Sequence, residues 1–232
     1  MINDRNRFYE LINELRCVKN DQYVIDLLDA LKESEDVFPA FYAYESAFLI
    51  MDDESWSILK SKAKEHYNQN RKIDDVLIFK CFYDQINDAI AYRYLYDLGC
   101  SEIKILKESK EVTPDISYVM DGVVLYCEVK TINVSDGELV RRRKSGFLDI
   151  SIYQYLNDGF FKKLKENIEK AMKQITSKGG GLVFIIVNFD DFVMTFLDDY
   201  KDSIVKFLKG EKYDSSQIVI KVGVPGQMYI HY

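Results

Sequence analysis

Apolar residues recur every three to four positions through the first third of the chain. Phe8, Leu11, Ile12 and Leu15 share one helical face, as do Val24, Leu27, Leu28 and Leu31. Two further helical stretches, Tyr42 to Met51 after Pro39 and Ser55 to Tyr67, complete an all-helical region over residues 1–72. It carries no recognisable chemistry and reads as a cap or an oligomerisation surface. The same period continues through Val76, Phe79, Tyr83, Ile86 and Ile90, predicting a helix from Ile73 to Leu98 that Gly99 stops in a left-handed conformation.

The pattern then changes. A short strand is predicted near Glu102 to Leu106. Two β-rich runs follow, Asp115 to Met120 and Val123 to Lys130, separated by Asp121-Gly122. That dipeptide predicts a hairpin with a two-residue type I′ turn. A polar, Arg-rich connection leads from Asn133 to Asn157. The helix after it, Asp158 to Ser177, keeps Phe161, Leu164, Ile168, Ala171 and Ile175 on one face. Leu182 to Val187 is wholly apolar, as suits a strand buried on both sides. A helix near Thr195 to Lys209 and two short strands, Gln217 to Val222 and Gln227 to Ile230, close the chain. The alternation predicts an α/β layer structure over residues 73–232, preceded by the helical region.

Composition narrows the chemistry. With 47 % hydrophobic and 30 % charged residues in 232, the chain is an ordinary folding sequence. Two histidines, His66 and His231, leave little for His-ligated zinc or a Ser-His-Asp relay, and both read as surface side chains. Cys17, Cys81, Cys100 and Cys127 form no C-x-x-C pair and read as free thiols in a reducing compartment. Gly179-Gly180-Gly181 precedes a strand rather than a helix, so it is a loop and not a phosphate cradle. The charged start has no apolar signal region and no stretch is long enough to span a membrane, so a cytoplasmic protein is expected. A net charge of −7 argues against gripping nucleic acid by bulk charge.

The hairpin register carries the candidate chemistry. With Asp121-Gly122 as the turn, Met120 faces Val123 and Asp115 faces Glu128. Opposed carboxylates about 5 Å apart repel unless something offsets them. A hard divalent cation is the natural offset. Lys130 lies two residues beyond Glu128, on the same face. Two acids on a metal with a lysine beside it suit phosphodiester hydrolysis, in which the metal activates water and the lysine stabilises developing charge. The alternative for the same residues is a cross-strand salt bridge at a half-exposed sheet end.

Pro114-Asp115, followed after twelve residues by Glu128-Val129-Lys130, resembles the PD-(D/E)XK nuclease superfamily, the restriction-endonuclease-like fold. The order of elements from Ile73 to Val187 is similar to its αβββαβ core. Asp88, Ala91, Leu95 and Gly99 resemble the helical E-x-x-A-x-x-x-L-x-x-x-G pattern of small members, with Asp in place of Glu; Asp84, one turn earlier, is the alternative acid. The resemblance implies Mg²⁺, replaceable by Mn²⁺, on Asp115, Glu128, the Val129 carbonyl and Asp88, with Lys130 catalytic. It implies a DNA endonuclease of the restriction or defence kind, acting as a homodimer. Lys163, Lys170 and Gln174 are the residues that the following helix would send toward the site; a solvated helix face is the alternative.

Charge then looks different. Residues 141–178 hold ten basic and four acidic side chains, a net +6 that leaves −13 for the rest. Arg141, Arg142, Arg143 and Lys144 fall just after the ExK strand, where a nucleic-acid backbone would approach; alone they would read as a solvated loop. The competing function is a non-catalytic module of the same fold that binds a protein or nucleic-acid partner.

Overall fold

The computed structural model describes residues 6–18, 22–33, 40–69, 82–108, 113–135, 153–188, 195–224 and 228–232. Among these, the helices are α1 (Arg7–Val18), α2 (Gln22–Glu33), α3 (Ala40–Ile50), α4 (Asp53–Gln69), α5 (Asp88–Asp97), α6 (Asp158–Thr176) and α7 (Leu197–Glu211). The strands are β1 (Ser101–Ile105), β2 (Ile116–Met120), β3 (Val123–Ile132), β4 (Gly181–Val187), β5 (Ile218–Val222) and β6 (Tyr229–Ile230). This is an α/β protein, with an N-terminal helical region and then a mixed six-stranded sheet in the order β1 to β6, interleaved with helices. None of the described helices is long and apolar enough to cross a membrane. Residue contacts divide the chain into two compact units, Met1–Val124 with Val224–Gly226, and Leu125–Gly223 with Gln227–Tyr232.

The first unit groups residues 82–124 with the N-terminal helices. The predicted apolar faces are its core: Phe8, Leu11, Ile12 and Leu15 of α1 and Val24, Leu27 and Leu28 of α2 are buried. Phe8 stacks on Tyr44 and Phe48 of α3. The Glu45 carboxylate accepts from the backbone N–H groups of Arg7 and Phe8 at 2.9 and 2.7 Å, satisfying donors that the start of α1 leaves open. Asp52 does the same for α4, accepting from the N–H of Ser55 at 3.1 Å and from the Ser55 hydroxyl at 2.7 Å. Ser55 Oγ in turn accepts from the N–H of Ile105, which ties α4 to β1.

The predicted helix over 73–98 is described from residue 82. It is helical over 82–86, breaks at Asn87, and resumes as α5. Asn87 is buried, and its Oδ1 accepts from the Tyr44 hydroxyl at 2.8 Å. At the far end Gly99 has φ +82°, and the N–H groups of Gly99 and Cys100 bond the carbonyls of Tyr96 and Leu95. This is the left-handed stop predicted there, in its Schellman form. β1 and β2 run antiparallel, from Ser101 opposite Val119 to Ile105 opposite Ile116, with a bulge between Ser101 and Lys104. Beyond β2, Asp121 and Gly122 both have positive φ, +51° and +76°, as a type I′ turn requires.

In the second unit β3, β4 and β5 are parallel and β6 returns antiparallel. Parallel neighbours need crossovers, and α6 and α7 supply them. Asn157 caps α6, its side-chain oxygen accepting from the N–H of Phe160. Leu164, Ile168, Ala171 and Ile175 pack in one core cluster with Val183, Ile185 and Val187 of β4 and Ile204 and Leu208 of α7. β4 is buried from Leu182 to Val187, as its apolar run predicts. β3 is buried only in part. Val123 and Val124 are exposed, and full burial begins at Cys127. The reason is register: β4 begins opposite Tyr126, so the first residues of β3 extend past it.

Candidate functional site

The sequence nominates a helical acid and a hairpin acid to share one cation. Both lie in the first unit, and both share a positive charge there. It is an ammonium. Lys62, on α4, sits with Nζ 3.0 Å from Asp88 Oδ2 and 3.6 Å from Asp115 Oδ1. Its side chain is 8 % exposed, that of Asp88 5 % and that of Asp115 22 %. A third carboxylate, Glu108, stands 3.9 Å from the same Nζ and is 60 % exposed.

Local structure explains each placement. Trp56, Leu59, Ala63 and Tyr67 are the buried stripe of α4, and Lys62 lies on that stripe, three residues after Leu59. Asp88 opens α5, where a carboxylate complements the helix dipole. Asp115 immediately precedes β2, and its carbonyl accepts from the N–H of Leu106 at 2.8 Å, which fixes its height beside β1. Burial opposes a charge on Lys62, but Asp88 and then Asp115 outweigh it. They hold the ammonium's pKa above the ordinary lysine value. Of the two helical acids considered, Asp88 is the one on the same ammonium as Asp115. Asp84 is half-buried one turn earlier.

In the second unit Glu128 and Lys130 are both on β3, in register with Val183 and Ile185 of β4. Glu128 is almost wholly buried, and its Oε1 is paired with the Lys130 ammonium, the shared face that a two-residue spacing predicts. Val129 between them is buried. Two residues here are not among those the sequence nominates: Lys62, although a lysine falling on the apolar stripe of α4 is a signal, and Glu108. His66, read as a surface side chain, is half-buried with Nε2 3.4 Å from Glu108 Oε1, one helical turn beyond Lys62.

The remaining nominated residues fall elsewhere. Lys163 and Lys170 are exposed and Gln174 is half-buried, off the stripe by which α6 packs into the core. Arg141, Arg142, Arg143 and Lys144 lie outside the described residues. Cys127 and Cys100 are buried and in no disulfide; burial pushes the Cys100 thiol up, away from a reactive thiolate.

Among the described residues no three His, Cys, Asp or Glu side chains gather closely enough to hold a metal between them. The donor set nonetheless suits a hard ion in kind. Asp88 and Asp115 are all-oxygen ligands already drawn to one cationic centre. Compared with protein-family models, curated proteins and solved structures, the chain matches none.

Proposed function

We propose that this chain is a Mg²⁺-dependent nuclease of the PD-(D/E)XK kind, hydrolysing phosphodiester bonds in DNA. The observation that carries the reading is the convergence of Asp88 and Asp115 on one positive charge, the pairing nominated from the helix pattern and the PD element. Support also comes from Glu128 and Lys130, adjacent on one face of β3. By the resemblance, Asp115, Glu128, the Val129 carbonyl and Asp88 are the residues that would hold the ion. Bound there, it would polarise the phosphate and lower the pKa of a water. Lys130 would orient that water or stabilise charge developing on phosphorus. The net +6 of residues 141–178 would meet the backbone locally, leaving the chain acidic as a whole. A restriction or defence role and a homodimer that cuts both strands belong to the same reading. Incubating plasmid DNA with Mg²⁺ tests it. The wild type nicks or linearises the plasmid, and Lys130→Ala loses at least about a hundredfold in rate. Equal cleavage by both proteins removes Lys130 from the mechanism.

One observation favours a second reading, a non-catalytic module with the same arrangement. Each nominated acid already faces a lysine, Asp88 and Asp115 with Lys62, and Glu128 with Lys130. Such a module would need no ion. Titration calorimetry in which neither Mg²⁺ nor Mn²⁺ releases heat selects it.

A further inference from the structure

We infer that Lys62 is a built-in cation that holds the seat between Asp88 and Asp115 and yields it to an incoming divalent ion by moving to Glu108. The inference rests on the metal-site reading above. Three carboxylates lie within 4 Å of Nζ, and their exposure is graded. Asp88 is 5 % exposed, Asp115 22 % and Glu108 60 %, at 3.0, 3.6 and 3.9 Å. The ammonium therefore stands at the inner end of an acidic path that leads outward. The backbone of α4 is fixed by its buried stripe, whereas the lysine's four-carbon stem is unbranched and rotatable. A short swing of the head exchanges the inner pair for the outer acid without moving the helix. Glu108 faces a second group on α4 as well, His66 at 3.4 Å.

The chemistry gives the arrangement a purpose. Asp88 is buried, and a buried carboxylate without compensation is strongly destabilising. A fixed tether of opposite charge removes that penalty whenever no ion is bound. The same tether then competes with the ion, since a dication and an ammonium on one pair of carboxylates repel. Lys62 is thus a positioning residue that sets the affinity of the seat.

Calorimetry of full-length protein with Mg²⁺ and Mn²⁺ tests this directly. Lys62→Met binds the ion about tenfold more tightly than wild type, and Lys62→Arg, which keeps the charge, stays near wild type. Glu108→Gln, at an exposed position that the fold tolerates, binds about threefold more weakly because the displaced ammonium has lost its outer acceptor. In Lys62→Met that Glu108 effect disappears. Unchanged or weaker binding by Lys62→Met, with the wild type still binding, overturns the inference and leaves the metal reading standing. A Glu108 effect that is absent, or that persists without Lys62, overturns it too. If Lys62→Met does not fold, Glu108→Gln decides alone. No binding by wild type or any variant overturns the metal reading and the inference with it.

Discussion

Asp52 shows how much one side chain contributes at the residue scale. Partial burial would raise its pKa, but hydrogen bonds from Ser55, through hydroxyl and N–H, and from Lys104 bring it from 3.8 down to about 2. A carboxylate depressed on folding contributes stability that is complete above its unfolded pKa and is lost as pH falls through the folded one. Wild type is therefore expected to lose stability between about pH 4 and pH 2 more steeply than Asp52→Asn, as followed by circular dichroism in acid titrations. Lys221 shows the opposite sign. It is buried in β5 with its ammonium 5.1 Å from the Tyr229 ring, and burial pushes its pKa down to about 8. From there up to the ordinary value of 10.5 the unfolded chain holds the proton longer than the folded one, so stability rises with pH. Lys221→Met should be more stable than wild type at pH 7, by roughly 3 kcal/mol. The difference should shrink to nothing as pH passes from 8 to 10.5, measured by urea unfolding. Both lysines that matter here, Lys62 and Lys221, sit at positions the surrounding sequence marks as apolar. Charge at such a position is legible in a sequence, but its partner is not, because Asp88 and Asp115 reach Lys62 only through tertiary packing.

At the scale of elements, what was legible followed from period and punctuation. The apolar stripes of α1, α2 and α6, the Gly99 stop and the Asp121-Gly122 turn all rest on contacts within a few residues, and each is where the pattern puts it. The break at Asn87 was not legible, since its hydrogen bond is to Tyr44, on α3. Nor was the exposed start of β3, which depends on where β4 begins. That beginning is set by Gly181. It has φ +146°, and a Cβ built on it would lie 1.8 Å from the Tyr126 carbonyl oxygen, against backbone that cannot move aside. Gly181→Ala should therefore lower the unfolding free energy by about 3 kcal/mol in urea titrations, at the upper end of what overpacking costs. Gly181 also sets the level at which Glu128 and Lys130 meet Val183 and Ile185, because the parallel register counts from it.

For the molecule as a whole, the expected boundary at residue 72 deserves a direct test. Residues 82–124 share their compact unit with the N-terminal helices. Among the described residues, bonds across that line include Tyr44 to Asn87, Lys62 to Asp88 and Asp115, Asp52 to Lys104, and Ser55 to Ile105. A chain that starts at residue 73 should fail to fold, giving no cooperative thermal transition by circular dichroism, because it takes Lys62 away from buried Asp88 and removes the helices that complete this unit's core. The helical region is thus part of what makes the acids tolerable, rather than a detachable cap. The placement of Lys62 also bears on how the chain is made. Synthesis runs from the N-terminus, so Lys62 leaves the ribosome 26 residues before Asp88 and earlier still before Asp115. Asp88 and Asp115 each emerge to find this opposite charge already made, so the nascent chain need bury neither of them before it.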